Sequence, residues 1–135
     1  DADELIKNAK PIPATDLEKA FIERLTQEAI LTSLERHSGT IRNLFGPTGK
    51  KTVAEGKDLT NIKYIIGTGG ALTRLPKRVE ILNKVPLHNK GLDLFPKEGT
   101  KVLIDNDYIM ASLGVLSKKY PEAALKLLEK SLKIS

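Results

Sequence analysis

Three glycines stand within four residues at Gly67-Thr68-Gly69-Gly70, directly behind the β-rich run Ile62 to Ile66. A hydrophobic strand that breaks into such a loop gives positive φ where needed and lets a flat or anionic ligand touch the backbone. The same pattern also serves as a plain strand-to-helix turn, and the glycines alone do not separate the two readings. A dinucleotide fingerprint is excluded, because Leu72 stands where its third glycine belongs. Gly46-Pro47-Thr48-Gly49-Lys50-Lys51-Thr52 is likewise no phosphate-binding P-loop, since Leu44 and Lys51 occupy its glycine and hydroxyl positions.

The remaining polar groups are read first as structural. Glu55, Lys57 and Asp58 sit beside Gly56 in what reads as a solvated loop, with nothing to tune a catalytic pKa. Arg36 and His37 end a helix, where positive charge suits the dipole. His88 has no second ligand at metal spacing, and Asp105 and Asp107 read as helix caps. No residue earns a catalytic label, and no metal site is expected.

The elements that hold the glycine loop follow from periodicity and punctuation. Pro11 and Pro13 favour extended backbone, so residues 1–14 read as a linker, and 15–135 as a single α/β domain. Thr15 and Glu18 form a capping box for a long helix. Its broad apolar face carries Leu17, Phe21, Leu25 and Ala29, with Ile22, Ile30 and Leu34 beside them, and Gly39 stops it. Thr40 to Phe45 reads as a short strand and Gly46-Pro47-Thr48-Gly49 as a turn. A short helix is expected over 76–84, and Pro86, Gly91, Pro96 and Gly99 mark a connecting loop. Val102 to Ile104 forms a second buried strand, Asp105-Asn106-Asp107 caps a helix from Tyr108 to about Lys119, and Pro121 opens a last one ending near Leu132. Leu113, Leu116, Leu125, Leu128 and Leu132 are core, or a seam against a partner helix. Strands alternating with helices predict an α/β unit of few strands and about four helices.

Composition narrows the function classes. The chain has 135 residues, 40% hydrophobic and 29% charged, and no cysteine, so disulfides, thiolate metal sites and cysteine nucleophiles are excluded. No apolar run is long enough to cross a bilayer, and the cytoplasm is the expected compartment. The chain starts at Asp1 without a methionine, which fits a piece of something longer. The net charge of +5 is spread along the chain, and with three Phe, three Tyr and no Trp there is little to stack on bases. Nucleic acid is therefore not the expected partner.

Gly67-Thr68-Gly69-Gly70-Ala71-Leu72-Thr73-Arg74-Leu75 resembles the adenosine motif of the actin-like ATPases, and the continuation through Pro76 and Lys77 resembles their chaperone branch. Four segments in order extend the resemblance: Leu34 to Gly39, Gly46 to Gly49, Val53 to Thr60, and Ile65 to Pro76. With the tail from Ile104 through Tyr120-Pro121-Glu122-Ala123-Ala124, they are similar to the C-terminal portion of the MutL family of glutamate mutase. The resemblance implies the C-terminal subdomain of an actin-like, ribonuclease H-like ATPase. The whole protein would be an ATP-dependent chaperone or reactivating factor for an adenosylcobalamin-dependent mutase, whose subunits would be its partners. ATP with Mg²⁺ would be the cofactor of that whole protein.

The resemblance assigns adenosine contact to Gly67, Thr68, Gly69, Gly70 and Ala71, with Thr73 and Arg74 near the ligand and Glu35 and Arg36 as secondary candidates on the preceding helix. No segment reads as an Asp-x-Gly phosphate loop, so this chain alone is not expected to hydrolyse ATP. The rival expectation is a non-catalytic module that docks on the mutase or on a second copy of this chain. An orphaned half-domain would also expose apolar surface and could self-associate.

Overall fold

The computed structural model describes residues 2–8, 12–88 and 94–134. Pro11 and Gly91, expected in connecting segments, lie outside the described residues. A first helix, α1, forms at Ala2–Lys7, where the sequence predicted extended linker. Acidic Asp3 and Glu4 in its first turn and Lys7 in its last complement the helix dipole, a local signal that the downstream prolines overshadowed.

The long helix α2 spans Asp16–His37. Its capping box is reciprocal: Glu18 N–H donates to Thr15 Oγ1 at 3.1 Å, and Thr15 N–H donates to Glu18 Oε2 at 3.0 Å. Its C-cap is Ser38, one residue before the expected Gly39. Its packing face also differs from the expected stripe, for Leu17, Leu25 and Ala29 are exposed. The face turned to α4 carries buried Glu23 and Leu31 and half-buried Gln27 and Glu35 at four-residue spacing, with Ile30 and Leu34, both of the expected stripe, packed beside Leu31. Two polar-rich turns hide that face from a hydrophobicity count, because Glu23 and Gln27 are chosen for hydrogen bonds rather than for apolar area.

Strands β1 (Thr40–Gly46) and β2 (Gly49–Glu55) make an antiparallel hairpin around Pro47-Thr48, in register from Thr40 opposite Glu55 to Gly46 opposite Gly49. The second strand went unread because its run, Gly-Lys-Lys-Thr-Val-Ala-Glu, lacks clean alternation. Glu55, expected in a loop, ends it and pairs with Arg42 at 3.1 Å. The hairpin packs chiefly on itself, and Phe45 near its tip is 80% exposed.

Strand β3 (Tyr64–Gly67) is joined to its parallel partner β4 (Lys101–Ile104) by a crossover containing α3 (Gly69–Arg74) and α4 (Arg78–Leu87). Tyr64 lies opposite Lys101 and Gly67 opposite Ile104. α4 runs past the expected stop and takes Pro86 into its last turns. The contacts of α2 with α4 advance in step: Glu23 with Lys77, Gln27 with Lys84, Leu31 with Val85, Glu35 with His88. The two helices therefore run in the same direction. Leu31, Val85 and Phe95 centre the core, and Pro96, in the expected connecting loop, is fully buried next to Phe95.

Helices α5 (Met110–Leu116) and α6 (Pro121–Leu132) pack on each other at the far end of the chain. α5 starts later than the sequence predicts, since Tyr108 adopts φ 55° and cannot belong to a right-handed turn, and it ends at Leu116, short of the expected Lys119. Leu113 and Leu132 are buried, whereas Leu125 is exposed. The chain is thus α/β, with six helices and two small sheets among the described residues.

Candidate functional site

Two of the three loop glycines have a structural reason to be glycine, and the reasons differ. Gly67 is buried at the end of β3, where a Cβ would lie 2.5 Å from Leu82 Cδ1 and 3.1 Å from Ile104 Cδ1. Gly69 opens α3 with φ 89°, a conformation costly for any side chain. Gly70 meets nothing within 4 Å of a built Cβ, so neither packing nor backbone geometry demands a glycine there. The space beside Gly70 is what a ligand could fill.

Thr68 stands at the N-cap of α3, yet its side chain does not cap the helix. Its hydroxyl instead donates to Asp105 Oδ2 at 2.9 Å, across the sheet at the end of β4. Asp105 is completely buried and accepts three further bonds: from Ser131 Oγ at 2.7 Å, Met110 N–H at 2.9 Å and Ile109 N–H at 3.2 Å. Burial alone pushes its carboxyl upward, but the bonds from Ser131, Met110, Ile109 and Thr68 outweigh it and hold the group below its ordinary value. The Asp105 N–H also donates to Gly67 O at 2.9 Å. Reading Asp105 as a cap captures its bonds to Ile109 and Met110. It misses that the same carboxylate ties the glycine loop to α6, for which a sequence offers no signal.

The remaining loop residues divide. Ala71 and Gly70 line a cavity of about 280 Å³ that also borders Arg74, on α3, and Lys19, on α2. Ile12, Ile22, Leu75 and Pro76 supply apolar walls. Thr73 does not face a ligand with a free hydroxyl, since its Oγ1 donates to Gly69 O at 2.6 Å inside α3. Glu35 and Arg36 are not brought to this place. Glu35 lies sixteen positions beyond Lys19 on α2, about 24 Å along the axis, and pairs with His88 Nε2 at 2.7 Å. Arg36 is exposed one residue further on. The residues the sequence missed are Lys19, Ile12 and Ile22, which only the tertiary fold sets against α3. Among the described residues, no group of three or more His, Asp or Glu side chains could hold a metal ion, and no helix is long and apolar enough to cross a membrane.

Chemically, the cavity offers a mostly apolar lining to which Lys19 and Arg74 contribute two cationic side chains, each with a long apolar stem and a charged head. Its open glycine edge allows close approach of a planar group.

The family model described as MutL protein matches residues 1–132 of this chain. Protein MutL of Clostridium tetanomorphum is 31% identical over 126 residues, which cover 93% of this chain and 27% of that protein. The chain therefore spans about a quarter of the length of the curated relative it matches. No solved structure matches it. Matched over nearly its whole length, the chain belongs to the MutL protein family.

Proposed function

We propose that this chain is the adenosine-contacting C-terminal part of a longer, cytoplasmic, actin-like ATPase, a chaperone or reactivating factor for a cobalamin-dependent glutamate mutase. The observation that supports it is the one cavity lined by Gly70 and Ala71 together with Lys19 and Arg74. At about 280 Å³ it falls near the small end of ligand pockets, a size that suits a fused ring system better than a whole nucleotide. Gly70 admits the ring to the backbone, and the Lys19 and Arg74 stems flank it. Asp105 holds Thr68, and with it the start of α3, in one position. The residues here do not fit the Mg²⁺ of an ATP complex, since among the described residues no carboxylate lines the cavity. The phosphates and metal would belong to the remainder of the longer protein.

Titrating ATP with Mg²⁺, and separately adenosine, into isotope-labelled chain tests this reading. Saturable shifts at the amides of Gly67, Gly69, Gly70 and Ala71, lost in Arg74→Ala, are the expected outcome. A folded spectrum with no selective shift there refutes an adenosine site in this chain.

A second reading, a non-catalytic module that docks on the mutase or on another copy, is favoured by the apolar groove of about 350 Å³ between α5 and α6. Met110, Leu113, Ala124 and Leu128 line it, and Leu125 at its edge is exposed. Mutase subunits added to labelled chain would then shift α5 and α6 rather than the glycine loop.

A further inference from the structure

The sheet end opposite the glycine loop is built from lysines. The Lys101 N–H donates to Lys63 O at 3.1 Å, so Lys101, which opens β4, lies beside Lys63, which directly precedes β3. Lys97 stands on the turn before β4, which Thr100 closes by donating its N–H and its hydroxyl to Lys97 O at 3.2 and 2.7 Å. These three lysines border one open cleft of about 500 Å³, with Thr60, Asn61 and Thr100 between them. Among the described residues of its lining, three lysines stand against one carboxylate, Glu98. Asp58 stands beside it, within the field of Lys97, and accepts from Thr60 N–H at 2.9 Å and Thr60 Oγ1 at 2.6 Å.

Among the described residues, none of Lys63, Lys97 and Lys101 is within ion-pair distance of a carboxylate. The structure does not offer the cradle that a single phosphate needs. Both threonine hydroxyls are turned onto the chain's own oxygens, and no guanidinium fork lines the cleft. Separate ammonium groups on flexible stems, spread around a wide opening, match a row of separate carboxylates.

From this complementarity we infer that the Lys63–Lys97–Lys101 cleft docks an acidic peptide segment of a partner protein. Its place is distinct from the adenosine slot: β3 carries the chain about 13 Å from this end to Gly67. Binding here stands or falls independently of the nucleotide reading.

The probe is a fluorescein-labelled oligoglutamate peptide titrated into the full chain at low salt, with amide shifts followed in parallel. Shifts confined to Thr60–Tyr64 and Lys97–Lys101, with affinity that declines as salt rises, are expected. The double variant Lys63→Glu/Lys101→Glu should weaken binding by about tenfold or more, and Lys97→Glu alone should weaken it less. Lys50→Glu/Lys51→Glu on the hairpin removes the same net charge and should leave affinity within about twofold. Equal losses in both double variants would reduce the effect to the general positive field and overturn the proposal. Absence of binding by the wild-type chain, or inorganic phosphate saturating the same amides at equal affinity, would overturn it as well.

Discussion

Replacing Asp105 by Ala removes the acceptor for four donors at once. The Thr68 hydroxyl is on an exposed residue and can turn to water, so its loss costs little. Ser131 is buried, and the Ile109 and Met110 amides are partly buried, so these three donors have no ready substitute. At about 1–1.5 kcal/mol for each donor left unsatisfied, the variant should lose about 3–5 kcal/mol. For a chain of this length that is a fall of about 10–20 °C in Tm. Urea denaturation followed by circular dichroism measures the loss. Ser131→Ala combined with Asp105→Ala should cost less than the sum of the single variants, because they share a bond.

The acid arm has a definite sign. The folded-state carboxyl of Asp105 is held below its ordinary value. Its stabilisation is therefore complete above the unfolded value near 3.8 and is lost as pH falls through the lower folded value. Asp105→Asn should be less stable at neutral pH and lose less on acidification than the wild-type chain. A deficit below about 1 kcal/mol for Asp105→Ala, or an unchanged acid profile for Asp105→Asn, would refute the reasoning.

Other substitutions separate the glycines and the helix contact. Gly39→Ala should destabilise severely, because its Cβ would lie 2.5 Å from Glu55 O and 2.8 Å from Gly56 C, which are backbone atoms and cannot swing aside. Gly70→Ala has open space and should raise stability by about 0.5–1 kcal/mol, while weakening adenosine shifts if the slot binds the ring; thermal melts and the titration read the two effects separately. Glu23→Ala strips the acceptor from Lys77 N–H at the start of α4 and should cost about 1–3 kcal/mol in urea denaturation, with Glu23→Gln milder. Phe45→Ala, at an exposed tip, should change stability by less than about 0.5 kcal/mol in the same assay.

What the sequence discloses here depends on whether the signal is local. The capping box of Thr15 and Glu18, the turn at Pro47-Thr48 and the proline start of α6 are decided within a few residues, and they stand in the fold as expected. The face of α2 was not legible, because Glu23 and Gln27 sit inward to meet α4, and that pairing exists only after the crossover has formed. The glycine loop was visible as a motif, but its division of labour was not. Gly67 answers to Leu82 and Ile104, whereas Gly70 answers to no neighbour. Lys19 is the clearest omission: it lies 55 residues before Arg74 and reaches the same cavity through packing alone.

The neck of the hairpin has a consequence for how this chain can change. The backbone leaves the body at Ser38 and returns at Lys57, bridged in parallel, with the Gly39 N–H on Lys57 O at 2.7 Å. Gly39 and Gly56 touch so closely that a methyl on either would strike the other's main chain. Between two ends that already meet, each doubling of the excursion's length adds only about 0.6 kcal/mol of closure cost. The hairpin is therefore a cassette. A short turn, a longer arm or a foreign loop grafted between residues 39 and 56 closes the same gap and leaves the α/β body its own stability, so decoration there can diverge while the scaffold stays constant.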